Sequence, residues 1–368
     1  RFPADVYLEG GDQYRGWFNS SLMIGLAAHD SAPYKTVLTH GWVVDGEGRK
    51  QSKSIGNTTP PDEIIKESGA EILRLWAAAV EYSEDMRCSK EILARVTDAY
   101  RKIRNTVRFA LGNLDGFDYQ DDALEVESLQ EIDFWALNEL DALTEKVIEG
   151  YANYDFQKVY NAIYNFCTVT LSARYFDIIK DRLYIYAPKS NERRSAQTAL
   201  YKIADNLARL VAPILAFTAD EIWENLSSKT SESVHLSEFP KVSGVRDEDL
   251  SNRWEKIFAI RDDVLKQLEL ARGEKIIGSS LEAKIVLTAN GENYELLKRY
   301  QNDLRFIFIA SQVELTENAD FSIKVTKADG EKCERCWNYS TEVGEFEKYP
   351  TVCERCFAAL TEIETAAV

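Results

Sequence analysis

Gly48-Arg49-Lys50-Gln51-Ser52-Lys53-Ser54-Ile55-Gly56-Asn57 packs one Arg, two Lys, two Ser and two Gly into a short, turn-prone run. It comes just after the apolar strand candidate Val37 to Val44. Glycine frees backbone N–H groups to face a ligand, hydroxyls donate, and lysine carries a compact charge on a flexible stem. Those are the donors a polyphosphate needs. Alone, the same string reads equally well as a solvated basic turn, so its flanks decide.

Upstream, Val6-Tyr7-Leu8 reads as a short strand and Gly10-Gly11-Asp12-Gln13 as a turn. A helix is expected from Arg15 to Ala28, then strand pieces at Val37-Leu38 and Trp42-Val43-Val44. Strand, glycine turn, helix is how a doubly wound sheet presents backbone donors to a nucleotide. The double glycine by itself distinguishes little, since most such turns only redirect the chain.

Together these segments resemble the class I aminoacyl-tRNA synthetases, and the isoleucyl-tRNA synthetase family in particular. Lys50 to Ser54 is similar to that family's Lys-Met-Ser-Lys-Ser loop. The run from Tyr7 to Phe18 resembles its adenylate-binding segment, and Leu38-Thr39-His40-Gly41 its next strand end. The resemblance implies the C-terminal piece of an α/β Rossmann-like catalytic domain over residues 1–57. It implies that Glu9 and Gly10 line the aminoacyl-adenylate site, with Asp12 accepting from the ribose hydroxyls, Gln13 near the aminoacyl part and His40 beside the nucleotide. Trp17 would form a wall of the isoleucine pocket, where an aromatic face suits a branched aliphatic group. Without the resemblance, Trp17 reads as core and His40 as a strand-end histidine.

The resemblance also gives the loop a task. Charge builds on departing pyrophosphate when a carboxylate attacks the α-phosphate of ATP, supplied with Mg2+. Lys53 first, Lys50 second and Ser52 with them are the catalytic candidates, and losing such a contact costs on the order of 10²–10³ in rate. Gln51 stands where the family carries Met, and Tyr14 where it carries His. The Gln51 departure is expected to alter loop closure rather than chemistry.

The 368 residues leave room for several domains, and no apolar run approaches the roughly 20 residues that cross a bilayer. No membrane association is expected. The chain opens on Arg1 in mid-pattern and reads as a piece of a longer protein. Its net charge of −17 is unevenly placed. Residues 115–149 hold twelve acidic side chains and one basic, whereas Lys90 to Arg108 carries six basic and two acidic. Local field governs docking of a phosphate backbone, so the acidic total does not exclude RNA.

Pro60-Pro61-Asp62-Glu63 restarts the chain, with Asp62 the expected helix cap, and opens a connecting domain over 58–90. Residues 91–240 are helical by pattern. Leu93, Val96, Tyr100, Ile103, Val107 and Ala110 form a stripe at helical spacing. Arg101, Arg104 and Arg108 repeat that spacing on a neighbouring face, as tRNA contacts or as a solvated basic face. Further helical runs cover Phe134 to Ile148, Phe156 to Ile185 and Ala196 to Val211, and Thr218-Ala219-Asp220-Glu221 reads as a capping box. An antiparallel bundle results. The resemblance makes it the domain that grips the anticodon end of tRNA. Over 241–328 a small α+β junction domain is expected, with a helix from Trp254 to Leu270. Strands are expected at Ala283 to Leu287, Arg305 to Ile309 and Phe321 to Val325.

Cys333-Glu334-Arg335-Cys336 and Cys353-Glu354-Arg355-Cys356 repeat one knuckle with sixteen residues between them. C-x2-C-x16-C-x2-C falls in the spacing of a tetrahedral zinc site, and four Cys leave no open position, so the Zn2+ is structural. Arg335 and Arg355 are expected to offset the net −2 cluster. Cys88 and Cys167 stand alone and read as buried. Thiolate pairs in a chain otherwise poor in cysteine point to a reducing, cytoplasmic setting. The family ends in such a module, here 329–368.

The whole chain thus resembles the C-terminal part of a bacterial-type isoleucyl-tRNA synthetase, with ATP, isoleucine and tRNA(Ile) as the implied partners and a monomer as the expected state. Alone, the piece is expected to be inactive. A valyl, leucyl or methionyl relative is the near alternative. A non-catalytic, zinc-stabilised tRNA-binding protein is the distant one.

Overall fold

The apolar runs around Tyr7 and Val37 pair in the computed structural model as parallel strands β1 (Ala4–Gly10) and β2 (Tyr34–His40). Parallel neighbours cannot be joined by a tight hairpin. The link is a 3-10 turn, Gly11–Arg15, followed by α1 (Trp17–His29). The register runs from Ala4↔Tyr34 to Gly10↔His40, so both strands finish side by side. The structure describes residues 2–52, 54–242 and 246–366.

Next come β3 (Val43–Val44), α2 (Pro61–Ser68), α3 (Ala70–Ala79) and β4 (Met86–Arg87), with β3 and β4 paired in parallel. Asp62 is not the cap of α2. Pro60 holds that position, and Asp62 lies in the first turn, where its charge suits the positive end of the helix.

The helical region comprises α4 (Lys90–Gly112), α5 (Tyr119–Asp122), α6 (Glu131–Ala152), α7 (Phe156–Asn165), α8 (Phe176–Ile185), α9 (Asn191–Val211) and α10 (Ala216–Glu224). On α4, the stripe residues Leu93, Val96, Ile103, Val107 and Ala110 are buried. Between α7 and α8 the helix widens into a π segment, Phe166–Tyr175. There the Cys167 carbonyl accepts from Ser172 Oγ at 2.7 Å and Thr106 Oγ1 at 3.3 Å, side-chain partners for a carbonyl in the altered ladder.

The capping box at Thr218 does not form, because α10 begins earlier, at Ala216. Glu71 of α3 supplies the cap instead: its carboxylate accepts from the Phe217 and Thr218 N–H groups at 2.9 and 3.0 Å and from the Thr218 hydroxyl. Deeper in the bundle, Asp133 of α6 is fully buried and accepts from Tyr175, Ser195 and both terminal nitrogens of Arg182. A buried carboxylate persists where charge and lone pairs are matched in this way.

The remainder holds α11 (Glu248–Gly273), β5 (Ala283–Ala289), α12 (Gly291–Arg299), α13 (Leu304–Phe308), β6 (Gln312–Glu317) and β7 (Ser322–Lys327). α11 starts before Trp254 because Asp247 caps it, accepting from the Leu250 N–H at 2.8 Å. Arg305 to Ile309 is not a strand. It forms α13, stopped at Ile309 with φ 55°, and the third strand is Gln312–Glu317. A short run that is apolar but for Arg305 carries no clear period, so burial alone could not tell the two apart. β5 lies between β6 (parallel) and β7 (antiparallel) and alternates buried Ala283, Ile285, Leu287 and Ala289 with half-buried neighbours. The chain ends in β8 (Glu331–Lys332), β9 (Tyr339–Ser340) and α14 (Glu354–Ala366).

The chain divides into two compact units. The first is Arg1–Asn105 with Lys146–Tyr164 and Leu210–Asp220. The second is Thr106–Glu145 with Asn165–Arg209 and Glu221–Val368. Among the described residues no helix is long and apolar enough to cross a membrane.

Candidate nucleotide-binding site and metal centre

The paired ends of β1 and β2 bring Glu9, Gly10 and His40 together. His40 Nδ1 lies 2.8 Å from the Gly41 carbonyl, which can only accept, so Nδ1 carries the proton. Nε2 then faces Glu9 Oε1 at 3.8 Å. One turn on, Gln13 Nε2 donates to Asp12 Oδ2 at 2.9 Å while its Oε1 accepts from the Trp17 N–H at 3.2 Å, capping α1. A Cβ on Gly16 would stand 2.2 Å from that Gln13 oxygen, so the capping geometry needs glycine. Trp17 packs its ring 4.6 Å from Tyr7 and remains 41% exposed, which leaves a face for a ligand.

The loop after β3 is a built turn. Val44 bridges Lys50 in antiparallel fashion, and the Gly48 N–H donates to the Asp45 carbonyl at 3.0 Å with Gly48 at φ 82°. Asp45 is buried beneath it. Its Oδ1 accepts from the Glu47 and Arg49 N–H groups at 3.0 and 2.9 Å, and its Oδ2 from Arg49 Nε and Asn57 Nδ2, both at 2.9 Å. These bonds, that from Asn57 foremost and the Arg49 N–H next, hold the carboxyl well below the usual carboxylate range. The Lys50 ammonium lies 5.9 Å from the centre of the Trp42 ring. That ring in turn lies 3.5 Å from where a Gly10 Cβ would project. Trp42 therefore links the loop to the strand ends.

Ser52 Oγ is 2.8 Å from Ser54 Oγ. Lys53 lies outside the described residues. Gln51 buries its Nε2 with no hydrogen-bond partner among the described residues, a cost that an apolar side chain there would avoid. Sequence reading gave no site role to Trp42, Asp45 or Asn57. The available signal was one aromatic after His40-Gly41 and an Asp and an Asn bracketing the basic run.

Arg101, Arg104 and Arg108 all lie on α4, with Arg101 and Arg108 exposed and Arg104 half-buried. Arg101 pairs with Asp98 at 3.5 Å on the open surface.

Near the C-terminus, Cys333, Cys336, Cys353 and Cys356 are buried with their sulfurs all within 4.8 Å of one another. Zn–S bonds of about 2.3 Å in a tetrahedron set sulfurs about 3.8 Å apart. Cys336 and Cys353 stand at 3.7 Å, so the donor set fits zinc. The β8–β9 hairpin carries the first knuckle, and the first turn of α14 carries Cys356. Arg335 hydrogen-bonds Cys356, and Arg355 interacts with the same thiol while held by other partners. Arg355 pairs with Asp181 and lies 5.8 and 5.2 Å from the Tyr186 and Phe306 ring centres, and Ile185 packs on the cysteines. Lone Cys88 and Cys167 are buried too, and burial pushes the Cys167 thiol up to about 12.

Comparison with known proteins finds the same three parts. Residues 1–89 match the profile of tRNA synthetases class I (I, L, M and V), 133–287 the anticodon-binding domain of tRNA ligase, and 330–359 the zinc finger found in FPG and IleRS. The chain is 51% identical over 98% of its length to an isoleucine–tRNA ligase of Syntrophotalea carbinolica, covering 40% of that protein. For the isoleucine–tRNA ligase of Caldanaerobacter subterraneus subsp. tengcongensis the identity is 48%, over 98% of this chain and 41% of the relative. For that of Geobacter sulfurreducens it is 48%, over 97% and 40%. The chain thus spans about two-fifths of the length of these curated relatives. In fold it is similar to the LeuRS of Agrobacterium radiobacter K84 (agnB2) in its ternary complex with tRNA and LeuAMS. The TM-score is 0.52 at 17% identity, covering 90% of this chain and 33% of that one. With its parts in this order and half its residues shared with such enzymes, the chain belongs to the isoleucine–tRNA ligase family of class I tRNA synthetases.

Proposed function

We propose that the chain supplies the C-terminal part of a cytoplasmic, monomeric isoleucine–tRNA ligase. That enzyme would join isoleucine to ATP with Mg2+ as isoleucyl-adenylate and pass the acyl group to tRNA(Ile). The observation that carries this is the convergence of Gly10, Trp42 and Lys50, which sets a loop ammonium against the strand ends where a doubly wound sheet binds its nucleotide. In this reading Asp12 and Gln13 hold the adenylate, Glu9 and His40 flank it, and Trp17 walls the isoleucine side chain. Lys50, Lys53 and Ser52 act on departing pyrophosphate. Arg101, Arg104 and Arg108 serve tRNA, and zinc on the four cysteines holds the terminal module in shape.

The domain limits follow the same reading: catalytic piece 1–57, connecting domain 58–90, anticodon bundle 91–240, junction 241–328 and zinc module 329–368. Isoleucine-dependent ATP–pyrophosphate exchange tests it. In a full-length ligase carrying this chain, Lys53→Ala and Lys50→Ala should each lower the exchange rate, by on the order of 10²–10³ for the more important of the two. Residues 1–368 alone should show none. Full exchange after loss of both ammonium groups would refute the reading.

A further inference from the structure

The basic loop is tied by one side chain that reads its backbone on both sides of Gln51. Asn57 Nδ2 donates to the Lys50 carbonyl at 3.2 Å, and Asn57 Oδ1 accepts from the Ser52 N–H at 2.8 Å. The same Nδ2 also donates to Asp45 Oδ2 at 2.9 Å. Asn57 therefore substitutes for a paired strand across three residues of a segment whose isolated bridge, among the described residues, is Val44 to Lys50. Its anchor is itself saturated. A carboxylate offers about four acceptor positions, and Asp45 has all of them filled from Glu47, Arg49 and Asn57.

We propose that Asp45 and Asn57 are positioning residues for the proposed adenylation chemistry: the Asp45–Asn57 pair fixes the backbone on either side of Gln51 and so sets where Lys50 and Ser52 stand. Neither touches the reacting atoms in this account. Exchanging Asp45 for Asn keeps the shape but turns an acceptor into a donor facing donors. Removing the Asn57 amide frees the Lys50 carbonyl and the Ser52 N–H at once. The catalytic half of this inference rests on the function proposed above, whereas the clamp itself does not.

Two measurements separate the halves. In the 368-residue chain, trypsin cleavage after Arg49 and Lys50 should quicken about tenfold in Asn57→Ala and in Asp45→Asn, because cleavage follows the population of open loop. Unchanged zinc content and helical circular dichroism would show that the fold is kept. The Asp45→Asn/Asn57→Ala double variant should be no more sensitive than the worse single, as for two residues acting as one unit. In a full-length ligase, Asn57→Ala should lower exchange kcat and raise KM for ATP while KM for isoleucine stays put. Unaltered cleavage, or effects that multiply in the double variant, would overturn the clamp. Faster cleavage with unaltered kcat and KM for ATP would overturn the positioning role. No exchange from the unmutated ligase would sink the functional reading and leave the proteolysis result standing.

Discussion

At the scale of single residues, the buried amide of Gln51 is the clearest misfit. The resemblance puts Met at this position, and Met would pack without burying an unpaired Nε2, giving up only the long 3.5 Å bond from the Thr59 N–H to Gln51 Oε1. Gln51→Met should therefore stabilise the loop by about 1–3 kcal/mol, the usual cost of an unsatisfied buried group, and slow trypsin cleavage after Lys50. Quicker cleavage would show that the amide has a partner in solution. Asp45 carries a pH prediction. Its folded carboxyl is held below the unfolded value by the bonds from Asn57 and the Arg49 N–H, then by Arg49 Nε and the Glu47 N–H. Its contribution is thus complete above the ordinary Asp value and is lost only as pH falls through the depressed one. Hydrogen exchange of the Glu47 and Arg49 amides should stay protected at about pH 3, after ordinary Asp groups have begun to protonate near 3.9. Early loss of protection would contradict the assignment.

At the scale of elements, helix ends mark where local reading failed. Thr218-Ala219-Asp220-Glu221 has the spacing of a local cap, yet Glu71 from α3 caps α10 instead. A carboxylate accepting two backbone N–H bonds and a hydroxyl outcompetes a neutral side chain, because charge-assisted bonds are stronger. Glu71→Ala should lower unfolding free energy by about 1–3 kcal/mol in urea titration. An unchanged unfolding midpoint would contradict the Glu71 cap. The stripe on α4 was legible because 3.6-residue periodicity is imposed by water and core alike. Gln312–Glu317 and α13 were not, since six or fewer residues give too few periods to choose between helix and strand.

At the scale of the molecule, the zinc module has its own small core, in which the four cysteines are a large share of the buried side chains. A unit so small is held by its metal, whereas the helical bundle buries large side chains such as Trp135, Trp223 and Phe258. Zinc removal by a strong chelator should therefore abolish amide protection over residues 330–359 and leave most helical circular dichroism intact. Cooperative loss of both signals would mean that the module supports the bundle.

By itself the sequence determined what depends on residue type and spacing: the zinc ligands, the basic loop, the strand-turn-helix order and the long amphipathic helices. Each is a local code, written within one element or in the repeat of a short motif. Tertiary structure alone decided which distant side chains meet. Glu71 at α10, Asp133 with Arg182, Trp42 between Gly10 and Lys50, and Arg355 with Asp181 are contacts between elements. Such pairings are set by packing geometry and by the need to satisfy every buried charge, and neither leaves a periodic trace along the chain.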